Sequence, residues 1–241
     1  MEQKKIFGVI LAGGKGTRMG NVEKPKQFME IGGKPIIVHT IEKFVIHPAF
    51  DEIIVLSPKQ WLNHTKDIVC RYIPKGRDIT IIAGGNSRNE TIMNAIHYIE
   101  ETYGLTDDTV IVTHDSVRPF ISHRIIEENI QAAIQYGACD TVVPATDTIV
   151  CSEGGKIISD IPERSKMYQG QTPQSFRAKK LKELYESLTE EEKELLTDAC
   201  KIMTLKGEKV YLVEGEVYNI KITYPYDIKV AEAMLGGNLK C

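Results

Sequence analysis

The residues best suited to chemistry lie in a glycine-rich stretch at positions 11–20, which read LAGGKGTRMG. Glycines allow backbone N–H groups to approach a phosphate closely, and Arg18 adds a fixed positive charge. The segment PKQF follows a few residues later, and its Lys26 supplies a second cation if the chain folds back. Two fixed cations over a glycine loop suit a triphosphate whose charge shifts during a reaction. The stretch therefore predicts nucleotide chemistry.

Two common phosphate-binding patterns do not fit this stretch. A Walker A loop needs Ser or Thr after Gly-Lys to hold magnesium, and here Lys15 is followed by Gly16. A dinucleotide-binding loop needs a third glycine, where this chain has Met19, and an acid after the second strand, where it has Ser57. A nicotinamide-dependent dehydrogenase is therefore disfavoured. A non-catalytic nucleotide-binding module is the other alternative, and it would not need the two cations.

Composition narrows the class of protein. Lys and Arg number 30 against 33 Asp and Glu, a formal charge of −3, so the chain lacks the basic excess that nucleic-acid binding requires. No apolar run approaches the ~20 residues that span a bilayer, so no membrane partner is expected. The five cysteines are scattered without CxxC spacing, which predicts reduced thiols rather than a zinc or redox site. We expect one domain over residues 1–241, in a soluble cytoplasmic protein.

Apolar runs alternate with segments of helical period, which predicts an α/β fold with a mostly parallel, Rossmann-like sheet and helices on both faces. The expected strands are residues 6–11, 53–56, 80–83, 109–113 and 141–144. The expected helices are residues 39–45, 61–72, 89–103, 123–136 with Ser122 as N-cap, 178–188, and a helix from Thr189 onward. Since ligands of such sheets bind beyond the carboxyl ends of the strands, the segments that follow the strands are the candidate site.

Residues 146–168 interrupt this alternation. They contain two short strand-like runs around a Glu-Gly-Gly turn, which predicts a β-hairpin arm that projects from the sheet. A two-stranded hairpin is only marginally stable without packing, so the arm is either an ordinary surface hairpin or a dimerisation arm.

Several segments together carry a resemblance to a known family. They are LAGGKGTRMG with PKQF, GGNSRNETI (84–92), HDSVRPF (114–120), QGQTPQSF (169–176) and NIKIT (219–223). In this order and over nearly the whole chain, they resemble the cytidylyltransferases among the sugar-phosphate nucleotidyltransferases. That group includes the methylerythritol-phosphate enzyme of isoprenoid synthesis and the ribitol-5-phosphate enzyme of teichoic-acid synthesis. The resemblance implies a nucleotide-diphospho-sugar transferase fold, a homodimer joined through the arm, and transfer of CMP from CTP to a polyol phosphate with Mg²⁺ as cofactor.

The resemblance also implies roles for single residues. Arg18 and Lys26 would be the catalytic cations, and Asp115 the Mg²⁺ ligand. The nucleotide-binding residues would be Leu11, Ala12, Gly13, Gly14, Gly16, Gly85, Asn86, Arg88, Thr91, Asp115 and Ser116. The acceptor-binding residues would be Asp147, Thr148, Arg164, Thr172, Thr197 and Lys221, with the arm residues serving the neighbouring subunit. Lys221 lies in a strand-like run.

Four points stay open at this stage. Arg88 binds phosphate or braces its loop, and Arg118 either pairs with Asp115 or contacts substrate. Asn86 stands where relatives have Asp, and because an amide both donates and accepts, the base selectivity is open. HDSVRPF, YQGQTPQ and LTDACKI (196–202) resemble the ribitol branch more closely. The expected acceptor is therefore D-ribitol 5-phosphate, with 2-C-methyl-D-erythritol 4-phosphate as the alternative.

Overall fold

A seven-stranded sheet forms the centre of the protein, for which a computed structural model describes residues 4–14, 24–74, 76 and 78–236. The strands are β1 (Ile6–Leu11), β2 (Glu30–Ile31), β3 (Lys34–Pro35), β4 (Glu52–Ser57), β5 (Ile79–Ala83), β6 (Val110–Asp115), β7 (Ala138–Pro144), β8 (Tyr168–Arg177) and β9 (Tyr211–Glu214). The order in the sheet is β5-β4-β1-β6-β8-β7-β9, and β2 pairs with β3 in a separate ribbon. Only β8 runs antiparallel to its neighbours in the described sheet, so the predicted mostly parallel architecture is confirmed.

Helices cover both faces of the sheet, as predicted. They are α1 (Ile36–Ile46), α2 (Leu62–Tyr72), α3 (Arg88–Tyr103), α4 (His123–Tyr136), α5 (Ala178–Glu186), α6 (Glu190–Glu194), α7 (Ala199–Leu205) and α8 (Pro225–Gly236). Short 3₁₀ turns lie at Lys26–Phe28, Lys59–Trp61 and Arg164–Lys166. None of the helices in the described part of the chain is both long enough and apolar enough to cross a membrane.

The core has one layer on each side of the sheet, because the central strands are apolar on both faces. In β1, Phe7 and Val9 pack with α3, α5 and α7, while Ile10 packs with α1 and α4 on the opposite face. Gly8 lets α1 pack closely against β1, since a Cβ at this position would lie 2.9 Å from Phe44 Cδ1 of α1. Full burial of each such side chain contributes roughly 1.5–3 kcal/mol to the free energy of unfolding. This packing holds the central strands in place, and their carboxyl ends carry the site.

Helix starts follow the capping signals in the sequence. The Ser122 hydroxyl accepts a hydrogen bond from the Ile125 N–H and caps α4, as predicted. Thr189 and Glu192 form a capping box at α6, which explains why this polar run is helical. The first helix begins at Ile36, three residues earlier than expected, directly after Pro35.

The predicted hairpin arm is only partly formed. Within residues 146–167 a single antiparallel bridge pairs Cys151 with Asp160, and no named strand is present. The Cys151 N–H donates to the Asp160 carbonyl, and the Ser159 N–H donates to the Cys151 carbonyl, both at 2.8 Å. The predicted pairing of the two runs is therefore present only as this one bridge. Ile157 and Ile158 are 82% and 57% exposed, so these two side chains provide no apolar packing that would support a longer ladder.

Candidate active site

A cleft of about 430 Å³ opens at the carboxyl ends of β1 and β6. Its described lining residues are Leu11, Gly13, Gly14, Lys26, Gln27, Gly85, Asn86, Ser87, Arg88, Thr91, Asp115, Ser116, Val117, Lys221 and Thr223. Most of the residues predicted to bind nucleotide are therefore brought together. Arg18 and Gly16 lie outside the described residues.

Backbone hydrogen bonds between neighbouring strand ends build the floor of the cleft. The Ala12 N–H donates to the Leu56 carbonyl at 2.8 Å, and the Ser116 N–H donates to the Leu11 carbonyl at 3.1 Å. The Gln27 amide donates to the Ala12 carbonyl at 2.6 Å, which attaches the PKQF segment to the same edge. Ala12 is 1% exposed and supports the floor instead of lining the cleft.

The N-terminus of α3 forms one wall of the cleft. Ser87 caps the helix by accepting from the Glu90 N–H, and the Glu90 carboxylate accepts from the Asn86 N–H at 2.8 Å. The Thr91 hydroxyl donates to the Ser87 carbonyl and accepts from the Gly85 N–H at 3.0 Å. Its proton is therefore engaged within the loop in this arrangement, and the predicted role of Thr91 in nucleotide binding stays a prediction. The exposed amides of a helix N-terminus favour a bound anion.

Close packing explains why Gly85 is glycine. A Cβ at this position would lie 2.9 Å from the carbonyl carbon of Glu90 and 3.0 Å from the Thr91 nitrogen. Any larger residue would push the loop off the helix and change the shape of the wall.

Asp115 lies at the end of β6 among three cations. Its carboxylate contacts the Arg88 guanidinium, accepts from Lys221 Nζ at 2.8 Å, and lies 3.8 Å from Arg118 Nε. Burial alone would raise the pKa of Asp115, but Arg88, Lys221 and Arg118 outweigh it and hold the pKa well below its usual range. The carboxylate is ionised at neutral pH and fixes three cationic side chains around it.

His114 and Thr172 hold the Asp115 backbone in place. The Thr172 hydroxyl accepts from the Asp115 N–H at 3.2 Å and lies 2.9 Å from His114 Nδ1. The other ring nitrogen, Nε2, lies 3.1 Å from the Arg118 carbonyl. Since a carbonyl can only accept, Nε2 carries the proton and Nδ1 accepts from Thr172. Thr172 is 3% exposed and its hydroxyl is engaged with these two partners, and its predicted role in binding the acceptor stays a prediction.

The segment 219–223 crosses the cleft and carries Lys221. It is irregular and not the strand-like run expected, because its backbone bonds to loops on either side instead of to a neighbouring strand. Arg118 Nη1 donates to the Asn219 carbonyl at 2.8 Å, and the Ile222 N–H donates to the Val117 carbonyl at 2.9 Å. Lys26 Nζ donates to the Ile222 carbonyl at 2.9 Å. These bonds place both lysines in the same cleft.

The remaining residues predicted to bind the acceptor lie apart from this cleft. Asp147, Thr148 and Arg164 are exposed at the base of the arm, where Arg164 Nη1 donates to the Thr146 carbonyl at 3.2 Å. Thr197 is exposed just before α7. Their predicted roles remain predictions.

Four residues line the cleft without having been predicted as site residues: Gln27, Ser87, Val117 and Thr223. All four lie inside the quoted segments PKQF, GGNSRNETI, HDSVRPF and NIKIT. The signal was therefore present in the segments, but residue type alone does not show which side chains turn inward.

Comparisons with known proteins agree with this geometry. The family model described as "IspD: 2-C-methyl-D-erythritol 4-phosphate cytidylyltransferase" matches residues 6–237. A 4-diphosphocytidyl-2C-methyl-D-erythritol synthase from Anaerococcus prevotii is 28% identical, with a TM-score of 0.79 and coverage of 97% of this chain and 96% of that chain. The Thermus thermophilus cytidylyltransferase is 26% identical, with a TM-score of 0.70 and coverage of 94% and 97%. The Francisella tularensis enzyme is 25% identical, with a TM-score of 0.78 and coverage of 95% and 99%. This chain belongs to the 2-C-methyl-D-erythritol 4-phosphate cytidylyltransferase family, and it is a nucleotidyltransferase that uses CTP.

Proposed function

We propose that this chain transfers CMP from CTP to a small polyol phosphate and releases pyrophosphate. The observation that carries the proposal is the convergence of Lys26, Arg88 and Lys221 on one cleft at the carboxyl edge of the sheet. An oxygen of the acceptor phosphate attacks the α-phosphorus of CTP, and the bond from that phosphorus to the α,β-bridging oxygen breaks. A phosphate monoester is already anionic near neutral pH, so the attack needs no general base.

Charge and position supply the catalysis in this proposal. Lys26 is 7% exposed and held by the Ile222 carbonyl, so its ammonium is fixed before the nucleotide binds. Together with Arg18, it would stabilise the charge that develops on the α-phosphate and on pyrophosphate. The α3 N-terminus adds backbone donors on the opposite wall. Groups held in this way need little rearrangement in the transition state.

Magnesium is part of the proposal, and the donor set fits it. Mg²⁺ usually takes one or two carboxylates and completes its shell with phosphate oxygens and water. Asp115 is ionised and lines the cleft, while the described residues hold no cluster of three or more His, Cys, Asp or Glu suited to a metal. Asp115 would therefore be the protein ligand and the triphosphate would supply the other oxygens. The bound ion would neutralise phosphate charge during the transfer.

Two acceptors are proposed. The family model and the names of the structural relatives support 2-C-methyl-D-erythritol 4-phosphate as the first. D-Ribitol 5-phosphate is the second, and the observation that favours it is the set of segments HDSVRPF, YQGQTPQ and LTDACKI. The relatives quoted are 25–28% identical, a range in which an acceptor pocket can change. The two compounds differ by a branch methyl and by hydroxyl arrangement, and one methyl is worth only ~1–3 kcal/mol of discrimination.

Pyrophosphate release in the presence of CTP and Mg²⁺ tests the proposal, with the two acceptors assayed side by side. We expect release with one of them, at a kcat/KM at least tenfold above that of the other. Lys26→Met serves as the inactive control. Absence of release with both acceptors, and with other pentitol phosphates, would contradict the proposed function.

We further propose that the enzyme is a homodimer joined through the arm of residues 146–168. Ile157, Ile158 and Ile161 are exposed on the arm by 82%, 57% and 56%, which supports a surface that is covered in the assembly. The arrangement would bring Asp147, Thr148 and Arg164 to the site of the neighbouring subunit. Light scattering should give twice the chain mass, and Ile157→Asp with Ile158→Asp should give monomers; a monomeric wild type would contradict the arm contact.

A further inference from the structure

Next to the cleft lies a polar group of side chains that the proposed reaction has not used. Asp140 of β7, Gln174 of β8 and Asp198 at the start of α7 make direct contacts. The Gln174 amide nitrogen donates to Asp140 Oδ1 at 3.1 Å and to Asp198 Oδ2 at 3.2 Å. Both carboxylates are partly exposed, whereas Gln174 is 2% exposed. We call these three residues the acidic cluster.

The sheet register places the acidic cluster beside the active-site cleft. Gln174 pairs with Thr113 in β6, two residues before Asp115, and with Asp140 in β7. Because side chains alternate along a strand, Gln174 and Asp140 lie on the same face as Asp115. Burial alone would lower the pKa of Arg88, but Asp115 and then Asp198 raise it. The Arg88 guanidinium therefore contacts the cleft carboxylate and is also stabilised by the charge of Asp198 in the acidic cluster.

The acidic cluster has hydrogen-bonding capacity that the described residues do not use. Gln174 Oε1 is buried and has no hydrogen-bond partner among them. Arg88 Nε is also buried without a hydrogen-bond partner among the described residues. A buried amide oxygen without a partner destabilises the fold, and a donor from a bound molecule would remove that cost.

The chemistry of these groups points to one end of the acceptor. Carboxylates and an amide oxygen accept hydrogen bonds from hydroxyl groups, and negative charge repels a phosphate. The phosphate of the acceptor is attracted instead to Arg88 and Lys221. We infer that Asp140 and Asp198, with the Gln174 amide between them, bind the hydroxyl groups of the acceptor. This inference rests on the proposed function and makes the acidic cluster a specificity element for a hydroxyl-rich substrate.

Burial raises the pKa of Asp140 to about 6, with Asp198 adding to the shift. Near neutral pH Asp140 is ionised and accepts hydrogen bonds from the Gln174 amide and the Cys200 thiol, and hydrogen bonds from further donors would stabilise its charge. Hydroxyl groups of a bound polyol would provide them, so acceptor binding and ionisation of Asp140 should favour each other.

Asp140→Asn and Asp198→Asn test the inference. Asp198 caps α7 by accepting from the Lys201 N–H, and the amide oxygen of Asn can do the same in Asp198→Asn. In both variants the Asn oxygen can still accept from the Gln174 amide, so both are expected to fold. Glu52→Gln is the matched control, because it also replaces a carboxylate by an amide but lies at the amino end of β4, away from the carboxyl edge of the sheet that carries the cleft. Steady-state pyrophosphate release is measured while acceptor and CTP are varied separately, and thermal unfolding is recorded for each protein.

We expect the acceptor KM to rise about tenfold or more in both Asn variants, the scale of a lost hydrogen bond to a charged group. The KM for CTP should stay within twofold, and Glu52→Gln should change neither constant. Acceptor KM values within twofold of the wild-type value in the Asn variants would overturn this inference and leave the proposed function standing. A KM for CTP that rises as much as the KM for the acceptor would do the same. No turnover by the wild type with any polyol phosphate would overturn the proposed function, and this inference with it.

Discussion

Replacement of His114 by Gln should remove a large part of the pH dependence of stability. His114 is fully buried, and burial lowers its pKa to about 4, from 6.5 in an exposed chain. Between about pH 4 and pH 6.5, His114 is protonated in the unfolded chain and neutral in the folded protein. The stabilising effect of the neutral ring is therefore complete above pH 6.5 and is lost as the pH falls towards 4. Between pH 7.5 and pH 5.0 this group alone should remove about 2 kcal/mol from the free energy of unfolding.

Asp140 has the opposite effect in the same range, so the wild type alone is not informative. Because its pKa is raised to about 6, the folded protein takes up a proton at Asp140 before the unfolded chain does, and stability increases as the pH falls. This contribution is the same in the wild type and in His114→Gln. The difference between the two proteins therefore isolates His114.

Urea unfolding of both proteins at pH 7.5 and pH 5.0 measures that difference. The wild type should lose about 2 kcal/mol more than His114→Gln between the two pH values. His114→Gln will be less stable at pH 7.5, since it loses the Thr172 contact at Nδ1. Equal losses in the two proteins would refute the reasoning, and so would an NMR titration of His114 with a midpoint near 6.5.

Three further predictions concern the site and its supports. Lys26→Ala should fold normally but lose ~10²–10³ in turnover, measured by pyrophosphate release, and a near wild-type rate would exclude a catalytic role for Lys26. Asn219→Ala removes donors to Gln171 Oε1 at 3.1 Å and to the Thr172 carbonyl at 2.9 Å, so urea unfolding should show a loss of about 1–3 kcal/mol and turnover should fall as Lys221 shifts. Unchanged turnover in Asn219→Ala would show that the segment 219–223 holds its place without this side chain. Ser122→Ala removes the cap of α4 and should cost about 1 kcal/mol with kcat unchanged, and a loss of activity would connect α4 to the cleft.

Much of the fold could be predicted from local patterns. Apolar runs such as Ile6–Leu11 are strands buried on both faces, and Ser122 and Thr189 begin helices because their hydroxyls cap free backbone N–H groups. The strand β8 could not be recognised in the same way, since it is polar and contains Gly170 and Pro173. Its burial between β6 and β7 depends on hydrogen bonds from distant residues, among them Thr113 to the Gln174 carbonyl at 2.8 Å.

For the site, the order of strands and loops along the chain predicts which segments meet. Residues that follow parallel strands share one edge of the sheet, so the glycine loop, GGNSRNETI and HDSVRPF had to converge. The contacts of each side chain became known only from the folded chain. Thr172 turns inward to His114, Lys221 pairs with Asp115 from an irregular segment, and Asp140 and Asp198 meet across Gln174. These contacts join positions far apart in the chain, and their geometry depends on packing and register that no local pattern encodes.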